Sequence, residues 1–314
     1  MKTELSDEAA EYGRTAQRAI ESAGGDELVQ AAEREPDRRE KLVAPVLAEL
    51  GAWELDPRDS ADELEAAAAL CRAAGWWSVP YPVAERLARP IDLDVDGSIV
   101  VSEVGPAGPV AGLDLRWTAL GLDGRRYAAT PRPASEPPRR SAFVTGLDLE
   151  PVDGAGDGSA DVALGLVLSD WTLLGSLDRA LALTRAYVLE REQFGQPLAR
   201  FQSVQFQLTD AEVERVGVEE LAKYALWSIA VGLDEALDDA LALRLAAIEA
   251  AETVFRVTHQ LHGALGFCDE TTLSWVSRYS QPRRRLPLGR SATQDLLTRR
   301  LGRRGLTGPF SEVR

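Results

Sequence analysis

The chain has 314 residues, of which 45% are hydrophobic and 27% charged, and its formal net charge at pH 7 is −15. This length is too great for one small core and suits two or three domains. The negative charge argues against nucleic acid or an anionic membrane surface as a partner, because both attract basic proteins. Only two cysteines occur, Cys71 and Cys268, so we expect a reducing compartment, the cytoplasm, and no disulfide framework. The N-terminus has no apolar signal region, and we expect no membrane-spanning segment.

Residues 1–90 are predicted to form a helical domain. Ser60 and Glu63 have the spacing of a capping box, and Gly75 is expected to end the helix that they begin. Cys71 falls on the apolar face of that helix and is interpreted as a small core residue.

Residues 91–168 lack helical periodicity and are rich in proline and glycine, which predicts a small, loop-rich β domain. Asp96-Gly97 and Asp123-Gly124 are interpreted as hairpin turns. The glycine- and proline-rich run 105–112 is interpreted as a surface loop, because its prolines lack the amide donors that a phosphate loop needs. The β-prone segments are Ser98–Val101, Arg126–Thr130, Ser141–Val144 and Val162–Leu164.

Residues 169–314 are predicted to be helical again. Ser169 is a candidate N-cap for a first helix that ends before Pro197. Further helices are expected over residues 201–232 and 234–262, and a last one after Ser291. Because short connections make neighbouring helices antiparallel, the pattern predicts a C-terminal four-helix bundle. The predicted fold is therefore mainly α with a small β domain.

Two motifs stand at helix ends in this bundle. The first reads Arg-Glu-Gln-Phe-Gly-Gln-Pro over residues 191–197 and is followed by Phe-Gln-Ser-Val-Gln over 201–205. The second reads Gln-Leu-His-Gly-Ala-Leu-Gly over residues 260–266. Taken singly, Arg191 could be a solvated ion pair, Phe194 a core residue and the glycines a helix C-cap. His259 and His262 are the only histidines, and with no third ligand indicated we expect no metal site.

The layout of helices, β domain and long bundle resembles the acyl-CoA dehydrogenase family. The first motif is similar to that family's Arg-x-x-Phe-Gly-x-Pro signature, and the second to its Gln-x-His-Gly-Gly-x-Gly, with Ala264 in place of the middle glycine. The resemblance implies FAD as cofactor and an oligomer, since these groups hold the ADP end of a flavin seated in a neighbouring subunit. The implied cofactor-binding residues are Arg191, Gln193, Phe194, Gln202, Gln260, His262, Gly263 and Gly266.

Physical chemistry agrees with this role for the motifs. A dinucleotide pyrophosphate carries two negative charges and needs a fixed guanidinium, which Arg191 can supply for about 1.5–3 kcal/mol. It also needs backbone that can come close, and Gly263 and Gly266 have no Cβ to obstruct the approach. Phe194 would pack on the cofactor, while the three glutamines offer amide donors and acceptors.

The residues expected to carry the chemistry are missing. The family places a catalytic glutamate before a glycine ahead of the last helix, where this sequence has Leu288. Its other position for that glutamate falls near Gly165. The nearest acids are Asp161 and Asp170, so we assign no catalytic residue. The implied function is a non-base-bearing subunit of a heteromeric acyl-CoA dehydrogenase, similar to the short divergent subunits of the actinobacterial α2β2 enzymes.

In that hypothesis a homologous partner subunit carries the base and most of the acyl-CoA site, and a steroid-derived CoA ester is one possible substrate. Two alternatives remain: a self-sufficient homo-oligomeric dehydrogenase with an unrecognised carboxylate, and a non-enzymatic scaffold on the same fold. A basic cluster near the C-terminus is open to three interpretations, a solvated face, a contact with an acidic partner or a phosphate site. It comprises Arg278, Arg283, Arg284, Arg285, Arg290, Arg299, Arg300, Arg303 and Arg304.

Overall fold

The computed structural model describes residues 4–133, 143–152 and 156–304. The N-terminal part is helical, as predicted. Its helices are α1 (Asp7–Ser22), α2 (Asp26–Arg34), α3 (Arg39–Glu49), α4 (Ala61–Trp76) and α5 (Val83–Leu87).

The predicted cap of α4 is present, because the Ser60 hydroxyl accepts a hydrogen bond from the backbone N–H of Glu63 at 3.2 Å. The prediction that Gly75 ends this helix is wrong, since α4 continues through Trp76. Gly75 has a packing role instead: a Cβ there would lie 1.8 Å from the carbonyl oxygen of Thr172. Cys71 is fully buried, as its interpretation as a core residue requires, and burial raises the pKa of its thiol to about 12.

A five-stranded sheet follows, with strand order β1-β3-β4-β5-β2. β1 pairs with β3 in parallel, and the other pairs are antiparallel. The hairpin predicted at Asp123-Gly124 joins β3 to β4, but Asp96-Gly97 is no hairpin because Gly97 begins β1. The strands are β1 (Gly97–Val101), β2 (Ala107–Gly108), β3 (Trp117–Gly121), β4 (Arg126–Pro131) and β5 (Thr145–Pro151).

Three sequence interpretations in this region need correction. The run 105–112 is not a plain surface loop, because it contains β2 and the fully buried Val110. The β-prone run at Val162–Leu164 belongs to the next helix. The run at Ser141–Val144 lies partly outside the described residues, and β5 begins directly after it at Thr145.

The C-terminal part is built around α6 (Ser159–Glu190), which begins ten residues before the predicted cap. Ser169 is therefore inside a helix and caps nothing. By length and composition α6 could cross a membrane, but 83% of its apolar window is buried in the protein, which identifies it as a core helix. A Cβ on its Gly175 would lie 1.9 Å from the carbonyl oxygen of Arg72, so glycines on both helices let α4 and α6 approach closely.

The remaining elements complete a bundle around α6. A short hairpin separates α6 from α7, and a 3₁₀ turn over Gly263–Phe267 follows α8. One helix, α9, was not anticipated from the sequence. The division of the chain into three domains at residues 90 and 168 stays a prediction. The elements are β6 (Glu192–Gln193), β7 (Gln196–Pro197), α7 (Gln202–Ala230), α8 (Ala236–His262), α9 (Thr272–Arg285) and α10 (Arg290–Arg304).

Candidate cofactor-contact site

The two sequence motifs meet at one end of the bundle. The backbone N–H of Arg191 donates to the carbonyl of Tyr187 at 2.8 Å, which closes the last turn of α6. The Tyr187 ring stacks on the ring of His262, with centroids 4.3 Å apart. Since His262 is the last residue of α8, the stack joins the end that carries Arg191 to the end that carries Gly263. Sequence reasoning missed Tyr187, whose only signal is an aromatic residue one turn before the arginine.

The hairpin after α6 projects Phe194 into solvent. Phe194 and Gly195 form its turn with φ values of 52° and 78°, the left-handed pair that two-residue hairpins favour. The Phe194 side chain is 92% exposed and touches Phe201 edge-on, with ring centroids 6.2 Å apart. A phenylalanine in the left-handed region is an uncommon and strained residue, and such strain collects at binding sites.

Gly263 presents open backbone next to this hairpin. Its φ of 62° and ψ of −144° favour glycine, and a Cβ placed on it would have no atom within 4 Å. Gly266 differs, because a Cβ there would lie 2.9 Å from the Cβ of His262. Gly266 is therefore required for packing, whereas Gly263, whose N–H donates to the carbonyl of His259, leaves space beside the backbone for a close approach.

His262 is a buried support for the site. Its Nδ1 lies 2.9 Å from the carbonyl oxygen of Thr258. Because a carbonyl only accepts, Nδ1 carries the proton that it donates. Burial lowers the pKa of His262, and burial together with the His262 and Arg284 charges lowers that of His259. The two rings do not face a common point, as His259 instead contacts the Ser277 hydroxyl at 2.8 Å. Among the described residues, no group of three histidines, cysteines or acids is arranged to hold a metal ion.

The polar side chains of the two motifs are free to contact a ligand. In the described part of the chain Arg191 forms no ion pair, so the alternative of a solvated pair with Glu190 or Glu192 is not what the structure has. The exposed residues of the predicted set are Arg191, Gln193, Phe194, Gln202, Gln260 and Gly263, while His262 and Gly266 are buried.

The interior positions at which the resemblance places a catalytic glutamate hold no carboxylate. A Cβ on Gly165 would lie 2.8 Å from a methyl group of Val100, so the strand β1 already fills this space. The carboxylate of Asp161 accepts bonds of 2.6 Å from both Arg58 and Arg126. It is a structural link between helices and sheet and has no free oxygen for proton transfer.

Asp170 forms a fully buried ion pair with Arg244 through Oδ1 at 3.0 Å, while its Oδ2 has no hydrogen-bond partner in the described structure. Burial raises the pKa of Asp170 to about 6, and the Arg244 charge only partly opposes this. Arg244 also donates to the carbonyl of Leu286 at 2.6 Å and to that of Leu288 at 3.3 Å. The pair therefore fixes the α9–α10 connection in the place where the glutamate is missing.

Much of the C-terminal basic cluster is paired within the chain, which reduces the charge that it offers to a partner or a phosphate. Arg284 lies over the Phe255 ring, 4.7 Å from its centroid. The pairs are Arg278 with Glu33 and Asp269, Arg283 with Glu85, Arg290 with Glu249 and Glu252, and Arg300 with Asp238.

The residues present fit one part of FAD and not the other. The exposed guanidinium of Arg191 and the open backbone of Gly263 suit a pyrophosphate, and the exposed Phe194 ring suits a planar group. The isoalloxazine ring finds no counterpart inside this chain. The cavity that Gly165 lines has a volume of about 90 Å³, smaller than the roughly 150 Å³ that accepts a single benzene ring.

Comparisons with known proteins agree with the fold and the motifs. Residues 168–294 match the family model described as "Acyl-CoA dehydrogenase, C-terminal domain". Acyl-CoA dehydrogenase FadE28 of Mycobacterium tuberculosis is 37% identical over 92 residues, 29% of this chain and 27% of that protein. The chain spans about a quarter to a third of the length of the curated relatives that it matches.

Solved structures match over nearly the whole chain. The ChsE4–ChsE5 complex of Mycobacterium tuberculosis superposes with a TM-score of 0.75 at 19% identity, covering 98% of this chain and 100% of the other. The Tcur3481–Tcur3483 steroid ACAD gives 0.74 at 19% identity, covering 96% and 99%. The helical domains and small sheet form the acyl-CoA dehydrogenase fold, as predicted, and residues 168–294 carry the sequence match to that family's C-terminal domain.

Proposed function

We propose that this chain is the non-base-bearing subunit of an FAD-dependent acyl-CoA dehydrogenase that consists of two different subunits. FAD is the cofactor, and it supplies the acceptor for the hydride that leaves the acyl chain. Residues on the surface of this chain contact the ADP arm of a flavin that is seated in the partner subunit. Its partner supplies the flavin-ring pocket and the carboxylate that removes the α-proton.

The proposal rests on a contrast between two regions. The exposed surface formed by the two motifs, residues 191–205 and 260–266, is here called the motif surface, and it is open, whereas the interior is closed. The Phe194 side chain is 92% exposed although its backbone is strained, which is explained if another subunit covers it. The cavity beside Gly165 holds about 90 Å³, and neither Gly165 nor Leu288 supplies a carboxylate. A chain with its own complete active site would instead need an interior cavity large enough for the flavin ring and a free carboxylate beside it.

The relatives support a heteromer and extend the proposal to the substrate. One matched structure is a complex of two different chains, ChsE4 and ChsE5, and another is named a steroid ACAD. We propose by analogy that the partner is a homologous dehydrogenase subunit and that the substrate is a CoA ester, with steroid-derived esters as the first to test. We place this enzyme in the cytoplasm, as its cysteine usage predicts.

The test is to purify the chain alone and after co-expression with a homologous dehydrogenase subunit that retains the glutamate. We expect a colourless protein alone and a yellow complex whose flavin is bleached by an acyl-CoA. A yellow chain that is reduced by acyl-CoA without a partner would support the self-sufficient enzyme instead. A chain that stays colourless with every partner, yet binds one, would support the scaffold.

Matched carboxylate substitutions, one in each subunit, check where the base resides. Replacing the partner's glutamate with glutamine is expected to leave the complex yellow and abolish flavin reduction by acyl-CoA. The matched change in this chain, Asp161→Asn, is expected to affect stability and to leave the rate of flavin reduction within about twofold, because its carboxylate is committed to two arginines. A rate loss of a thousandfold from Asp161→Asn would contradict the proposal.

A further inference from the structure

The outer face of α7 carries an apolar stripe that the described part of the chain leaves uncovered. The Phe206 side chain is 59% exposed and that of Val213 is 63% exposed, and Val216 and Leu221 are exposed beside them. Because an α-helix turns by about 100° per residue, Phe206, Val213 and Gly217 point in directions within about 40° of one another. Among the described elements, α7 exposes more large apolar side chains than any other. A cluster of exposed apolar side chains is typical of an interaction surface.

Gly217 lies in the middle of this stripe. A glycine inside a helix is less stable than an alanine, because it has more backbone freedom to lose on folding. The glycines inside α1, α4 and α6 each pack against a neighbour: a Cβ on Gly13 would lie 3.0 Å from the Cβ of Ala69, and one on Gly175 would lie 1.9 Å from a backbone oxygen. A Cβ on Gly217 would have no atom within 4 Å. Gly217 therefore has the character of a close helix contact without the second helix.

The stripe continues from the motif surface. Phe201, directly before α7, touches the Phe194 ring edge-on with centroids 6.2 Å apart, and Phe206 follows it by five residues. From Phe206 to Leu221 the stripe extends roughly 22 Å along the helix. A subunit that covers Phe194, as the proposed function requires, therefore reaches the beginning of the stripe.

The charged side chains of α7 are mainly acidic. By their helical positions, Asp210 and Glu214 lie along one border of the stripe and Glu220 along the other. Asp210 and Glu214 form no ion pair within the described residues. Arg200 precedes α7, beyond the end of the stripe. The remaining charges form a network in which acids outnumber cations, since Arg72, Arg215 and Lys223 pair with Glu4, Asp178, Glu212, Glu219 and Glu220.

These charges decide which helix fits the stripe. A second copy of this chain crossing at Gly217 would set acids against acids, and like charges at an interface cost free energy. A helix of a different chain with arginine or lysine at its borders would be attracted instead, and Gly217 lets its backbone come close. We propose that the α7 stripe packs against such a helix of the homologous partner subunit, with the crossing point at Gly217. This inference rests on the proposed function for the existence of the partner, but it requires no flavin.

A larger side chain at Gly217 separates a close helix contact from a merely apolar surface. Gly217→Leu adds apolar area in open space, so the isolated chain should fold with an unchanged or higher thermal unfolding midpoint. It should nevertheless weaken association with the co-expressed homologous subunit by about tenfold or more, because it holds the two helices apart. Sedimentation of the purified complex on dilution measures this. Gly302→Leu, at an open glycine of α10, should leave the affinity unchanged. Unchanged or tighter association of the Gly217→Leu chain would overturn the proposal.

Charge reversal at the border gives a second measurement. Glu214→Lys should weaken association by about tenfold at low salt and by less at high salt, whereas Glu8→Lys, at an exposed acid of α1, should not. A wild-type chain that dimerises alone, and loses the dimer with Gly217→Leu, would assign the stripe to a second copy and contradict the proposal. A yellow complex that is indifferent to both variants would remove the docking surface and leave the proposed function standing. If no homologous subunit binds the wild-type chain, both fail.

Discussion

Two regions of this protein differ in the groups that they offer to a ligand. At the end of the bundle, most polar and glycine residues of both motifs are exposed, Arg191 forms no ion pair within the described residues, and Phe194 touches only the edge of Phe201. In the interior, the expected glutamate positions are Gly165 and Leu288, and the neighbouring acids are bound to arginines. The difference teaches that an exposed motif surface and an interior without the catalytic glutamate can occur together in this fold.

Energetics explain why each region is stable as it is. Val100 packs into the space that a side chain at residue 165 would need, and the Asp170–Arg244 pair holds the connection with Leu288 in place. Closing the interior thus adds packing and hydrogen bonds. The motif surface adds little to the stability of the isolated chain, because the Phe194 side chain is exposed and its backbone is strained. We expect this conformation to contribute free energy only when another subunit binds.

The largest loss of stability is expected from Arg244→Met, which tests the role of the buried ion pair in the interior. This change leaves the carboxylate of Asp170 buried without its partner and frees the carbonyls of Leu286 and Leu288. Breaking a buried pair from one side costs about 3–5 kcal/mol. We expect that loss in the free energy of unfolding, measured by denaturant titration at pH 8. Arg256→Met, at an exposed arginine of the same helix, should cost less than about 0.5 kcal/mol.

The sign of the pH dependence sharpens this prediction. Without Arg244, burial is opposed only by the charge of Arg283 and should raise the pKa of Asp170 further above the value of about 6 in the intact protein. A group with a raised folded-state pKa favours the folded state at low pH, and this stabilisation is lost as pH rises through that pKa. The cost of Arg244→Met should therefore be smaller at pH 5 than at pH 8. A cost that is equal at both would contradict a buried carboxylate.

A smaller effect is expected from Gly165→Ala, which tests whether the glutamate position is closed. The added Cβ would lie 2.8 Å from a methyl group of Val100, and overpacking of this kind costs about 1–3 kcal/mol. Gly217→Ala is the matched control in an exposed part of α7 with nothing within 4 Å, and it should stabilise the helix by about 0.5–1 kcal/mol. Thermal unfolding of both variants measures the difference, and a neutral Gly165→Ala would mean that the interior has room.

The smallest effect on the isolated chain is expected at the motif surface. Because the Phe194 side chain is 92% exposed, Phe194→Ala should change the free energy of unfolding by less than about 0.5 kcal/mol. It should nevertheless weaken association with the partner subunit by about tenfold, as loss of an aromatic interface anchor does. Sedimentation or titration calorimetry of the pair measures this. A large stability loss without any change in affinity would assign Phe194 to the fold and remove it from the interface.

The sequence predicted the long bundle helices well, because α8 has an apolar stripe and both α7 and α8 end near glycines, Gly232 and Gly263. It predicted poorly where burial is complete. Val162–Leu164 has the composition of a strand, yet it lies in the first turns of α6, whose apolar residues are buried on every side and lose helical periodicity. Gly75 was taken for a helix end because close helix packing is a property of two chain segments and cannot be inferred from one.

The site was predictable to a similar degree. The motifs identified Arg191 and Gly263 as candidate contacts of one pyrophosphate, but the Tyr187–His262 stack that joins the two helix ends was not foreseen. Gly263 and Gly266 look equivalent in the sequence, and only the structure separates the open glycine from the packed one.

Flavin occupancy of the co-purified complex with Arg191→Ala in this chain is the most direct measurement of the central proposal. Loss of one charged hydrogen bond to a pyrophosphate should weaken FAD binding by tenfold or more, at about 1.5–3 kcal/mol, and the complex should lose its flavin on dilution. Arg14→Ala, at an exposed arginine of α1, should retain it. Full occupancy in the Arg191→Ala complex would contradict the claim that this chain holds the ADP arm of a partner's flavin.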